Sequence, residues 1–213
     1  MQDVNPAAVP MDPNIKLAPN LDNNELNCSN SYAKLLGCLQ FISNSTRLDI
    51  SFAVNKLAAY TANLGLQHNG TIKWILRYLA DTKTLGITYT NTPYEADNDN
   101  LFYCYADAAF ANAGNHKSTT GYVFLGPGGA ITWKSKKQTV IVLSSMEAEY
   151  VALSEAGCKA TSLRNLYGEL RFCKGFIFCK RYLKPVLHQA EYNPIYRRLY
   201  NANVVTSKEV LLM

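Results

Sequence analysis

The stretch YADAAFANAGNHKSTTGYVFLGPGGAITWKSKKQTVIVLSSMEAEYVALSEA, residues 105–156, decides the fold. Its opening residues close LFYCYADAAF (101–110), an aromatic-rich run that reads as a strand. STTGYVFLGPGG (118–129) and AITWKSKKQT (130–139) read as a hairpin about the Gly-Pro-Gly-Gly turn. The period then changes: from Ser144 to Leu170, entered at VLSSMEAEY, the text reads as one long helix. Strands joined by short turns and followed by a packing helix predict an α/β (α+β) domain.

Upstream, LGITYT (85–90) reads as a further strand and TPYEADNDN (92–100) as an acidic loop. Between Tyr32 and Asp81 the spacing of apolar residues is helical. Tyr32, Leu35, Leu36, Leu39 and Ile42 form one stripe, and Ile50, Ala53, Val54, Leu57 and Ala58 a second, stopped by Asn63 and Gly65. A third helix is expected after Gly70, burying Ile72, Ile75, Leu76 and Leu79. Residues 1–30 hold four of the eight prolines and seven asparagines, which predicts an extended, flexible arm. After Arg171 no period is sustained, and only Phe176–Phe178 reads as a short strand. The expected division is an arm (1–30), a helical connection (31–84), an α/β domain (85–172) and a divergent tail (173–213), with the fold incomplete after 171.

With 48% hydrophobic and 17% charged residues in 213, the chain can bury a core and is not disordered throughout. No apolar run is long enough to span a membrane. The first residues, MQDVNPAAVPMDPN, lack the basic and apolar regions of a secretory signal. An intracellular protein of cytoplasm or nucleus is expected, neither secreted nor membrane-bound. The six cysteines form no CxxC pair and have no histidine at metal-ligand spacing, so reduced, mostly buried thiols are expected. The net charge of +5 is unevenly spread. Residues 1–116 carry 7 Lys+Arg and 10 Asp+Glu, whereas 117–184 carry 11 and 4, a net of +7 that suits a polyanionic partner.

Two acids stand out. Asp107 lies in the middle of an apolar strand, where an unpaired charge is expensive to bury. Glu147 lies in the first turn of the long helix. Brought together, two carboxylates would suit a hard divalent cation. Each also has a structural reading: Asp107 can mark a strand end, and Ser144-x-x-Glu147 has capping-box spacing.

The string from Tyr105 to Leu170 closely resembles the ribonuclease H domain of Ty1/copia-type retrotransposon polyproteins. There an sDAdwA strand leads to KST-GY-F, I-W-SKKQ and LSS-EAEY-AL. Residues 32–89, from YAKLLGCLQF to GITY, resemble the connection that follows the reverse-transcriptase palm in the same polyproteins. The resemblance implies a ribonuclease H-like mixed sheet that hydrolyses the RNA strand of RNA–DNA hybrids with two Mg²⁺ ions. It implies Asp107 as the first-strand aspartate and Glu147 as the glutamate at the helix entry, following Met146. Glu149 is the alternative, about 200° further round the helix, so only one of the two faces Asp107. Lys117, Ser118, Thr119 and Lys134 are the candidate contacts to phosphates of the hybrid. The remainder of the polyprotein is the other implied partner.

The tail departs from the family. The strand after the long helix carries a third metal aspartate there, in a CDNQ-like motif, whereas this chain has no aspartate beyond Leu170. The tail reads as degenerate, as compensating frameshifts would leave it. An enzyme with an incomplete metal site is expected to cleave little or nothing. The alternative is a non-catalytic remnant that still binds nucleic acid.

Overall fold

The aromatic run forms strand β1, Phe102–Ala113, and the runs that follow form β2, Lys117–Gly126, and β3, Gly129–Lys137. They belong to a computed structural model that describes residues 5–12, 14–15, 17–20, 29–89, 102–113, 116–126, 129–170 and 177–181. The chain divides into two units between Gly86 and Ile87.

In the second unit, β1, β2 and β3 pair antiparallel. The final strand, β4, Ile177–Arg181, lies parallel to β1, giving the order β3-β2-β1-β4. A parallel neighbour cannot be joined by a tight turn and needs a crossover. Helix α4, Ser145–Glu169, occupies that stretch of chain between β3 and β4. The helix packs on the sheet through Ala148, Ala152 and Ala156, all fully buried, and Leu163. Small side chains at this spacing let helix and sheet approach closely, over Cys104, Ala106, Tyr122 and Phe124. Phe124 is wholly enclosed, and truncating it to alanine should cost about 3–5 kcal/mol.

This is the mixed α/β architecture expected, and it agrees with a ribonuclease H-like fold. Among the described residues the tail contributes one strand, Ile177–Arg181; Phe176, where the expected strand began, lies outside them. The β1–β2 connection is irregular: the register shifts between Ala109 and Ala113, and Ala111 and His116 take positive φ of 49° and 56°. The strand expected at 85–90 is not formed by its described residues, 85–89. Their side chains meet the start of β3 instead. The Tyr89 hydroxyl donates to the Ala130 carbonyl at 2.7 Å, and its ring lies where a Cβ on Gly129 would come within 3.1 Å.

The first unit holds α1, Ser29–Ser45, a 3₁₀ turn, Leu48–Ile50, α2, Ser51–Ala58, and α3, Leu66–Asp81. Its core is the expected set of stripes: Tyr32, Leu36 and Leu39 from α1, Val54 and Leu57 from α2, Ile72 and Ile75 from α3. Helix α3 begins four residues before Gly70, because the His68 Nδ1 accepts the Gly65 N–H at 2.8 Å and caps the turn there. Arg47 is buried and pairs in a fork with Asp49, its Nε and Nη2 at 3.0 and 2.8 Å. The same guanidinium donates to the Thr82 carbonyl at 2.8 Å, and the Tyr78 hydroxyl donates to Asp49 at 2.8 Å. The turn before α2 and the end of α3 are thereby locked together.

Two expectations need correction. The described part of the arm is irregular, with bends at 8–11, and packed: Ala7 and Met11 join the core, and Trp74 Nε1 donates to the Val9 carbonyl at 2.8 Å. Proline and asparagine forbid helix there, not burial. Among the cysteines whose side chains are described, Cys104 is buried, but Cys38 and Cys158 are exposed free thiols.

Candidate active site

Asp107 stands in β1 opposite Gly121 of β2, a neighbour with no side chain to crowd the carboxylate. Its carboxyl is pushed above the ordinary aspartate range, chiefly by burial. A hydrogen bond from the Ala108 backbone opposes that shift, and the charge of Glu149 adds to it.

The helix entry resembles a capping box, with the glutamate reaching one residue beyond the N-cap Ser144. The Ser144 hydroxyl accepts the Glu147 N–H at 3.2 Å, and the Glu147 carboxylate accepts the Leu143 N–H at 2.8 Å. Glu147 is exposed, and its carboxylate is occupied with the backbone of its own helix entry. Glu147 is thus engaged at its own helix entry, and Glu149, half-buried, is the acid whose charge adds to the rise of the Asp107 carboxyl. A sequence signal for this existed. Ala148, Ala152, Ala156 and Ala160 mark the buried side of α4. At 100° per residue Glu149 lies about 40° from the middle of that stripe and Glu147 about 160°.

The candidate substrate contacts fare unequally. Ser118 is fully buried, and its hydroxyl accepts the Ala111 N–H at 3.1 Å, satisfying the irregular β1–β2 connection. The Lys117 ammonium donates to the Thr139 carbonyl at 2.6 Å, and the Thr119 hydroxyl donates to Asn112 at 2.7 Å. Both are therefore committed to neighbours, Lys117 to the chain after β3 and Thr119 to β1. Lys134, opposite Tyr122 on β3, is exposed. Lys136 pairs with Glu155 of α4 at 3.3 Å.

As a ligand set, Asp107 and Glu149 are hard oxygen donors whose mutual repulsion a cation would relieve. The chemistry fits one Mg²⁺ held by two carboxylates, with water and phosphate filling the other positions. No group of three or more His, Cys, Asp or Glu suited to a metal occurs among the described residues. In β4 the residues in register with Tyr105 and Ala106, just before Asp107, are Lys180 and Arg181. No helix among the described residues is long and apolar enough to cross a membrane.

Over 199 residues, 90% of its length, the chain is 33% identical to the Retrovirus-related Pol polyprotein from transposon TNT 1-94 of Nicotiana tabacum, and spans 13% of that protein. Over 166 residues it is 34% identical to the Retrovirus-related Pol polyprotein from transposon RE1 of Arabidopsis thaliana, spanning 11% of it. A shorter relative, Secreted RxLR effector protein 161 of Plasmopara viticola, is 35% identical over 133 residues, which are 62% of this chain and 90% of that protein. No family model matches the chain, and no solved structure matches it.

Proposed function

This chain belongs to the Ty1/copia-type retrotransposon Pol polyproteins, and we propose that it carries the ribonuclease H portion of one, with its catalytic centre impaired. The substrate class is the RNA–DNA hybrid and the family reaction is hydrolysis of the RNA strand. What supports the reading is Asp107 part-buried in β1 and Glu149 at the start of α4, the helix packed on that sheet, the two elements where the family sequence keeps its metal acids; the charge of Glu149 adds to the rise of the Asp107 carboxyl.

In this reading Asp107 and Glu149 hold Mg²⁺. When bound, the ion supplies a Lewis acid that lowers the pKa of a water and neutralises charge on the leaving oxygen. Burial raises the Asp107 carboxyl, so its proton and the cation compete, and binding strengthens as pH rises through the carboxylate range. Exposed Lys134 meets a backbone phosphate as a point charge. Ser118 acts indirectly, by shaping the β1–β2 connection.

What supports impairment is the absence of aspartate beyond Leu170, together with Lys180 and Arg181 in the strand beside Asp107. Two carboxylates suffice for one ion, and a pair of ions needs more negative charge to offset its own repulsion. These observations also favour a second reading, a remnant that binds nucleic acid without cutting it. An end-labelled hybrid with Mg²⁺, assayed on the wild-type chain and on Asp107→Asn, tests both. Weak or no cleavage with salt-sensitive binding is expected. Robust metal-dependent cleavage that disappears in Asp107→Asn would overturn the impairment, and absence of hybrid binding would overturn both readings.

A further inference from the structure

We propose that Gln138 is the positioning residue that holds the two carboxylates of the site opposite one another. The inference rests on reading Asp107 and Glu149 as metal-holding groups. Gln138 follows the last residue of β3 and is 1% exposed. Its Nε2 donates twice, to the Thr120 hydroxyl at 3.0 Å and to the Ala148 carbonyl at 2.8 Å. Its backbone N–H donates to the Ser118 carbonyl at 2.8 Å. Thr120 stands in register with Ala108, the residue after Asp107, and Ala148 is the residue before Glu149. One side-chain amide thus ties the sheet beside one carboxylate to the helix beside the other.

Two physical points favour positioning over packing. A carbonyl at Ala148 already serves the helix's own i+4 bond, so a second donor there adds nothing that α4 needs in order to be helical. Moreover, the Gln138 Oε1 is buried with no partner among the described residues, a cost that a leucine of similar volume would avoid. A buried amide that leaves its own oxygen unsatisfied is explained by the two bonds its nitrogen makes, one to the sheet and one to the helix. Asp107 and Glu149 repel, and an unclamped helix start would relax away from the strand.

The test uses the full chain and Mn²⁺, titrated by the loss of its free-ion electron paramagnetic resonance signal. Gln138→Leu removes both donated bonds, Thr120→Val removes one, and Leu163→Val is a core truncation at the far end of α4. We expect Gln138→Leu to weaken Mn²⁺ binding about tenfold, as loss of an outer-shell partner does, and Thr120→Val by less. Leu163→Val should lower Tm with Mn²⁺ affinity unchanged. Mn²⁺ binding by Gln138→Leu equal to wild type would overturn this inference alone, as would a similar loss in Leu163→Val. Should Gln138→Leu fail to fold, unchanged affinity in Thr120→Val overturns it equally. A wild-type chain that binds no Mn²⁺ overturns the metal-site reading and this inference together.

Discussion

Glu147 and Glu149 are two residues apart, yet removing them should move stability in opposite directions. Glu147→Ala deletes the acceptor of the Leu143 N–H and a negative charge at a helix N-terminus, while the Ser144 bond survives. Loss of that half of the capping costs about 0.5–1 kcal/mol. For a unit of this size that lowers Tm by roughly 2–8 °C. Glu149→Gln instead removes a charge that raises the Asp107 carboxyl, so without divalent metal its Tm should hold or rise. Asp107→Asn should be stabilising for the same reason. Because the folded pKa of Asp107 lies above its unfolded value, ionised Asp107 weakens the fold. That penalty is absent below the ordinary aspartate pKa and grows as pH rises through the folded value. The Asp107→Asn gain should therefore be present at pH 7 and vanish near pH 3. Metal inverts the ranking: Mn²⁺ should raise the Tm of wild type and Glu147→Ala, but not of Glu149→Gln or Asp107→Asn. Thermal unfolding by circular dichroism, with and without Mn²⁺ at pH 3 and 7, reads all of this. A Glu147→Ala variant that loses the metal response while Glu149→Gln keeps it would refute the assignment.

Further outcomes are expected elsewhere in the chain. Arg47→Ala leaves Asp49 without its buried partner and should cost about 3–5 kcal/mol in urea unfolding of the helical unit. Tyr78→Phe, which loses one bond to the same carboxylate, should cost about 1.5–3 kcal/mol. Burial holds the His68 pKa below its ordinary value, so its stabilising contribution is intact above about pH 6.5 and is lost as pH falls below it. Urea midpoints between pH 5 and 7.5 should show that slope in wild type and not in His68→Gln. For hybrid binding, Lys134→Ala should reduce the slope of log affinity against log salt by about 1, whereas Ser118→Ala should leave the slope unchanged and lower Tm.

Much of the fold is legible in the residues alone, because period and turn chemistry are local. LFYCYADAAF had to be a strand, the Gly-Pro-Gly-Gly turn had to close a hairpin, and Ser144 had to start a helix. Asp107 was conspicuous because a charge among aromatics demands a reason. Where the reading failed, the local signal described a residue type and the outcome depended on a partner. Ser118 sits in a KST motif with the right chemistry for phosphate, but an unpaired N–H at Ala111 claimed its hydroxyl. LGITYT alternates like a strand, yet its described residues pack by side chains onto the start of β3. Gln138 stood in the SKKQ motif, but nothing in the sequence assigned its amide to Thr120 and Ala148.

The sequence by itself determined the order of strands and helix, the acid on the first strand, the surplus of positive charge and the missing aspartates of the tail. It could even have excluded Glu147, since the alanine stripe turns that residue away from the sheet. Between the two acids nearer the stripe, Glu149 and Glu155, it could not choose. Each lies to one side of the buried face, and which side meets β1 depends on how α4 docks across the sheet. The tertiary structure pairs Glu155 with Lys136 of β3, and it is the charge of Glu149 that adds to the rise of the Asp107 carboxyl. A helix's periodicity fixes which residues share a face; only its packing partner fixes what that face meets.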